Sequence, residues 1–198
     1  MPTDEDLSSW LQQMAARDEA ALSRFYRALS GAVFAFVQRR LDNPHDAETV
    51  VVDTLHEVWK KAATFNGQSH VKTWVLGIAR HKLLDLLRQR GARGVQDDIE
   101  DHAETLASDD PGPFAQLAER QQQAWVALCM AKLPADQRDS LHLLFFEALS
   151  VEEIADVLAC PAGTVKTRVF HAKRKIRDCL ARWLRASGGA VGAELQDA

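Results

Sequence analysis

Ala47, Val50, Val51, Thr54, Leu55, Val58, Trp59 and Ala62 recur at i, i+3, i+4, i+7, i+8, i+11, i+12 and i+15, a spacing that an α-helix gathers onto one face. A stripe four turns long must be covered by other apolar surface, so the chain has to supply partner helices. Leu22, Phe25, Tyr26 and Leu29, followed by Val33, Phe36, Val37 and Leu41, predict a preceding pair of helices or one long one. "DNP" at 42–44 ends it, because Pro44 disfavours helix for Asn43. "FNGQS" at 65–69 reads as a turn, and Val71, Trp74, Val75, Ile78 and Ala79 begin a further helix running to about Arg90, where "RGARG" breaks it. Helical patterning resumes with Leu117, Gln121, Ala124, Trp125 and Leu128, stops near "KLPADQ" and continues through Leu141, Leu144 and Phe145. No stretch alternates with period two for long enough to need a sheet, so the chain is expected to be all-α, with two small helical domains.

Charge separates those domains. From Lys72 to Arg93 there are six basic residues against one acid, and from Gly163 to Arg185 eight against one, although the 198-residue chain carries net charge -4. Between these blocks Val95 to Glu119 holds eight acids and no Lys or Arg. Solvated helix faces would mix the signs; segregation predicts two polyanion contacts joined by a tether. The expected division is a domain at 1–93, an acidic flexible linker at 94–116, a second domain at 117–186 and a disordered tail at 187–198. No apolar run approaches the roughly 18 residues of a membrane span, and the N-terminus "MPTDEDLSSW" is acidic where a secretory signal is basic. A cytoplasmic protein is expected. Cys129, Cys160 and Cys179 form no C-x-x-C pair and are expected to be free small core residues rather than a disulfide framework.

The second basic block has local order. Ser150 and Glu153 form a capping-box signature, starting a helix that buries Ile154, Ala155 and Leu158 and ends before Pro161. "CPAG" is a short turn, and a second helix begins at Gly163 or Thr164 with Val165, Val169, Ala172, Ile176 and Leu180 facing inward. Two helices across a tight turn make a helix-turn-helix. Its outer face carries Lys166, Thr167, Phe170, His171 and Arg174, with Arg168, Lys173 and Arg177 at the margins. Early side chains of such a helix reach base edges in the major groove while later cations lie along phosphates. Glu152, Glu153 and Asp156 read as acids favouring the positive end of the preceding helix dipole rather than as a catalytic cluster.

"DAETVVVDTLHEVWKKAATFNGQSHVKTWVLGIARHKLLDLLRQR", residues 46–90, resembles the second conserved region of bacterial RNA polymerase sigma factors of the extracytoplasmic-function group. That region follows D-A-E-D-L-V-Q-E-T-F-x-x-V-W, F-x-G-x-S and F-R-T-W-L-x-x-I-A-R-N. "LPADQRDSLHLLFFEALSVEEIADVLACPAGTVKTRVFHAKRKIR" is similar to their fourth region, including L-S-x-E-E-I-A and P-x-G-T-V-K-x-R. The resemblance covers more than half the chain, in order. It implies a transcription initiation factor, often stress-responsive, whose partners are core RNA polymerase, promoter DNA and an anti-sigma factor, often membrane-bound. The N-terminal domain would dock on the polymerase clamp through Asp46, Glu48, Val51, Asp53, Thr54, Glu57 and Val58, and the C-terminal domain would meet the flap. The loop Asn66, Gly67, Gln68, Ser69 and His70 would hold a flipped base of the -10 element, with Lys72, Trp74, Arg80, His81 and Lys82 tracking the strand. Trp74 also falls on the apolar stripe, so core packing is an equal reading for it. The helix-turn-helix, from Gly163 and Thr164 onward, would read the -35 element. The linker would thread toward the polymerase active-site and RNA-exit path, and a plain tether fits it equally. The chain departs from the pattern at Thr49, Val52, Val71, Lys72 and His81, all near the docking and -10 surfaces.

Other function classes have weaker sequence support. Asp53 with His56 and Asp139 with His142 place a carboxylate and an imidazole at i, i+3, as di-iron bundles place Glu and His, but such a site also needs carboxylates from two other helices at matching depth, and Asp is shorter than the Glu that usually bridges. No phosphate-binding glycine loop or nucleophile elbow is present, so no enzyme, metal or cofactor is expected. An operator-binding regulator would use the same helix-turn-helix, but as a dimer, and would leave residues 46–90 unexplained.

Overall fold

The structure is a computed structural model and describes residues 2–41, 43–92 and 125–194. Every regular element among the described residues is helical, as the periodicities predict. Two compact units are present, Met1–Ile99 with His142–Val165 and Glu100–Leu141 with Lys166–Ala198, each taken below through its described residues.

The first unit is built on α1 (Asp4–Ala15), α2 (Glu19–Gln38), α3 (Pro44–Lys61) and α4 (Val71–Ala92), with a 3-10 turn at Ala62–Thr64. The start of each of the first three is written locally. Thr3 and Asp6 close a capping box, Asp18 accepts from the amides of Ala20 and Ala21, and Asn43 accepts from His45 ahead of a Pro at the first turn. The α3 stripe is buried from Ala47 to Val58, and Ala62 with it. It packs against α2 and α4, while α1 covers α2. Residues 22–38 lie in one helix, α2, rather than a pair. Helix α1, which buries Leu7, Leu11 and Met14, adds an element that the stripe argument did not reach.

The same unit includes the end of α6 (Ala135–Phe145), all of α7 (Val151–Leu158) and the first turn of α8 (Ala162–Glu194). The Ser150–Glu153 capping box is present in both directions. Helix α7 buries Ile154, Val157 and Leu158 and packs on α4. Ala155, expected inside, is only half-buried. Ala159 closes α7 in the left-handed region at φ 46°, after which Cys160 and Pro161 lead into α8. The turn of the helix-turn-helix is therefore confined to residues 159–161, between α7 and α8.

The second unit contains the helix at 125–131, which is α5, the first part of α6 and most of α8. Cys129 and Cys179 form a disulfide, with Cα atoms 5.9 Å apart, closing a sequence separation of 50; the expectation of free cysteines is corrected here. One turn before Cys129 and one turn after Cys179, the rings of Trp125 and Trp183 lie 5.4 Å apart, so the bond sits beside an aromatic contact that brings the same two helices together. Cys160 takes no part in a disulfide. The expected frayed tail is corrected as well: "SGGAVGAE" continues α8 to Glu194. Adding residues to an existing helix avoids the nucleation cost, and Ala190 and Ala193 partly offset the glycines. Residues 94–116 and the helical residues expected at 117–124 lie outside the described residues.

Candidate nucleic-acid and polymerase interfaces

The loop between the 3-10 turn and α4 is shaped by its own residues. Asn66 Oδ1 accepts the Gln68 amide at 3.1 Å, an Asx turn. Gly67 takes φ 72°, a left-handed conformation that a side chain at this position would resist. The loop borders a cleft of about 750 Å³. Asn66, Gln68, Ser69, Trp74, His81 and Lys82 all line it, so six of the ten residues expected to engage the -10 strand share one concavity. Trp74 is half-buried, its ring 5.2 Å from that of Phe65 at 52°. It is a wall of the cleft rather than a core side chain, and Phe65 is a second aromatic the sequence reading missed. Gly67, His70, Lys72 and Arg80 lie outside the lining set.

Two of the cations here, Lys72 and Lys82, are already engaged. Lys72 Nζ meets the Glu147 carboxylate at 2.6 Å and donates to the Glu147 carbonyl at 3.2 Å. Glu147 Oε1 also lies 3.3 Å from His142 Nε2. Burial alone would push the Glu147 carboxyl up, but the contacts from His142 and Lys72 hold it below the ordinary carboxylate value. Next along α4, the Thr73 hydroxyl donates to Glu153 at 2.8 Å, and Asp156 reaches the cleft lining. Two of the three acids expected to favour the α7 dipole, Glu153 and Asp156, therefore also face α4. Lys82 donates to Glu57 at 3.3 Å, and Lys61 meets the same carboxylate at 2.9 Å; hydrogen bonds from Lys61 and then Lys82 draw the Glu57 carboxyl down to about 2. His81 Nδ1 is 2.7 Å from the Gly77 carbonyl. None of these long-range partners carries a local sequence signal.

The docking residues expected on α3 divide by burial. Val51, Thr54 and Val58 are in the core, which corrects their assignment to a docking face: the stripe that makes α3 fold also turns them inward, and the Thr54 hydroxyl is spent on the Val50 carbonyl at 2.6 Å. Asp53 and Glu48 are exposed, Glu48 lying 3.6 Å from His45. Asp46 is ion-paired with Arg90, and Glu57 belongs to the cleft. Val52, where the resemblance has Gln, is 57% exposed. The outward surface of α3 is thus an acidic strip with an apolar residue at its centre.

On α8 the inward set is confirmed at Val165, Val169 and Ala172, all buried, while Ile176 and Leu180 are half-buried. Gly163, Lys166, Thr167, Phe170, His171, Lys173, Arg174 and Arg177 are exposed; Thr164 and Arg168 are half-buried. Arg168 is held by Asp136 at 2.6 Å. The Phe170 ring, 64% exposed, meets His171 edge-on. Among the described residues no group of three His, Cys, Asp or Glu side chains is placed to hold a metal ion, and no helix is long and apolar enough to cross a membrane.

Known proteins share this arrangement. The Sigma-70 region 2 family model matches residues 25–93, and the Sigma-70, region 4 model matches residues 123–176. The chain is 26% identical over 178 residues to the ECF RNA polymerase sigma factor SigK of Mycolicibacterium vanbaalenii, covering 88% of this chain and 89% of that protein. It is 27% identical over 194 residues to the RNA polymerase sigma-H factor of Pseudomonas aeruginosa, covering 93% and 99%. Among solved structures, the sigma factor RpoE of Bartonella quintana, in complex with the anti-sigma factor NepR, superposes with TM-score 0.66 at 25% identity, covering 80% of this chain and 96% of that one. CnrH in complex with the cytosolic domain of CnrY gives TM-score 0.63 at 21% identity, with coverage of 89% and 98%, a likeness of fold. The order of the two matched regions, the all-helical fold and the length shared with these relatives agree: the chain belongs to the sigma-70 family, in its extracytoplasmic-function group, and is a transcription initiation factor that directs promoter recognition.

Proposed function

We propose that residues 1–93 dock on core RNA polymerase and open the -10 element, that residues 94–116 tether, and that residues 117–186 read the -35 element. The cleft beside the loop 66–69 carries this reading. An extruded base needs a concavity with aromatic walls and polar edges, and its phosphates need cations nearby; Phe65, Trp74, Asn66, Gln68, His81 and Lys82 supply them in one place. Asp53, Glu48 and Val52 offer the exposed α3 surface for the clamp, acidic around an apolar centre. On α8, Lys166, Thr167, Phe170 and Arg174 reach base edges while Lys173 and Arg177 follow phosphates. Lys72 leaves Glu147 when it takes up a phosphate, so DNA engagement replaces one anion by another. The protein acts in the cytoplasm and performs no chemistry of its own, nucleotide addition belonging to the polymerase. An anti-sigma factor is its expected antagonist, as NepR is bound to the Bartonella RpoE.

Permanganate footprinting of holoenzyme on its promoter tests this. Reactive thymines at the -10 element with the native chain, lost in Asn66→Ala and Trp74→Ala while -35 protection persists, are expected. Equal opening by native and variant proteins removes the cleft from the mechanism.

A further inference from the structure

The loop 66–70 is gripped from outside the segment matching Sigma-70 region 2, which begins at residue 25. Helix α4 has first-turn amides to satisfy, and His70, the residue before it, lacks the short hydroxyl or carboxylate that ordinarily folds back as a cap. The acceptor comes instead from α1, 67 positions away: Asp4 Oδ1 takes the Val71 amide at 2.8 Å. The other oxygen of the same carboxylate lies 3.1 Å from His70 Nδ1. One side chain therefore holds both residues where the loop becomes helix.

Asp4 is itself fixed. It is the first residue of α1, directly inside the capping box of Thr3 and Asp6, on a helix anchored by buried Leu7, Leu11 and Met14. At the other end of the loop, Asn66 and the left-handed Gly67 set the turn. The loop is thus pinned at entry and exit, with Gln68 and Ser69 between the pins on the edge of the cleft.

We infer that Asp4 is a positioning residue for the base-capture loop, fixing the exit of residues 66–70 so that Gln68 and Ser69 stay in the geometry that receives an extruded base. The inference rests on the proposed role of that loop. Two carboxylates face His70, Asp4 from α1 and Glu153 from α7, and both raise its affinity for a proton, the hydrogen bond from Asp4 contributing most. The nearest cation on α4, Lys72, is committed to Glu147. The His70–Asp4 contact is therefore an ion pair below the raised His70 pKa and, above it, a hydrogen bond between the neutral imidazole and the carboxylate. Asp4→Asn keeps one acceptor for the Val71 amide but puts an NH2 donor where the second carboxylate oxygen faces His70, a group that the neutral imidazole can accept from and the protonated one cannot pair with.

Holoenzymes carrying the native chain, Asp4→Ala, Asp4→Asn or Asn66→Ala are titrated with a fluorescent single-stranded oligonucleotide of the non-template -10 sequence, with thermal melts alongside. Asp4→Ala should weaken oligonucleotide binding about five- to tenfold, the fold-change equivalent to a lost helix cap. Asp4→Asn should stay within about twofold of native near pH 8 and fall about threefold below it near pH 6, where His70 is charged. If Asn66→Ala is impaired while both Asp4 variants bind as the native protein does, or only their melting temperatures drop, the capture loop stands and the role of Asp4 is overturned. If Asn66→Ala also binds normally, the loop is not the capture site and the inference falls with that reading.

Discussion

Along α4, Lys72 and Lys82 meet carboxylates at 2.6 Å and 3.3 Å; along α8, Asp136 holds Arg168 at the margin at 2.6 Å, but on the outer face Arg174 and Arg177 come no nearer to Asp178 than 4.0 Å and 3.8 Å. The two helices hold their cations, five on α4 and eight on α8, in different states. On α4, Lys82 and Arg90 are balanced by acids of α3 and Lys72 by the segment leading into α7, so the two lysines serve both folding and the proposed DNA contact. On α8 the outer face is open to solvent, with Phe170 64% exposed, and the folding work is done elsewhere, by buried Val165, Val169 and Ala172 and by the bond to Cys129. A surface whose charges are neutralised internally pays a release cost before binding; an exposed one does not. Substitutions on α4 should therefore couple stability to promoter opening, and those on the outer face of α8 should separate them.

The largest effect expected is at the bond that secures α8. Cys129→Ser should cost about 4 kcal/mol by the chain-entropy estimate for a sequence separation of 50. Thermal unfolding with and without reductant measures it: reduction should lower the native melting temperature and leave the variant unchanged. Next, Arg174→Ala should weaken promoter binding by about 1 to 3 kcal/mol with the melting temperature unmoved, as an exposed side chain allows; an equal loss in both measurements would erase the contrast with α4. Glu147→Gln should destabilise by about 1 to 2 kcal/mol, less than a fully buried pair because Lys72 is partly solvated, while binding of single-stranded -10 DNA tightens.

That variant also has a pH signature. The Glu147 and Glu153 carboxyls are both held below their ordinary value, so their stabilisation is complete above the unfolded carboxylate pKa and disappears as pH falls through the lowered folded values. Acid melts should show a shallower slope for Glu147→Gln below about pH 4.5. The smallest expected change is Ala159→Gly, which relieves a left-handed alanine and should raise stability by less than about 1 kcal/mol, leaving both DNA surfaces as they are.

What the sequence made legible follows from range. The stripe from Ala47 to Ala62, the Ser150–Glu153 box and the stop before Pro161 are local patterns, and each appears where it was expected. Helix α1 carries a local pattern too, Leu7, Leu11 and Met14 at i, i+4 and i+7 behind the Thr3 cap. The Cys129–Cys179 bond, the Lys72–Glu147 pair and the Asp4 cap join positions 50, 75 and 67 apart, and no spacing rule reports such proximity. The docking face was over-read at Val51, Thr54 and Val58 for a related reason: one helix carries a core stripe and a partner surface, and a motif that spans both does not say which side each residue takes.

The most direct test is run-off transcription with sigma-free bacterial core RNA polymerase and genomic fragments, with and without this chain. The account predicts stable core association and new, discrete start sites, with Asn66→Ala and Arg174→Ala each reducing them. Sequence-specific DNA binding by the chain alone, with no core association and no new transcripts, would contradict it.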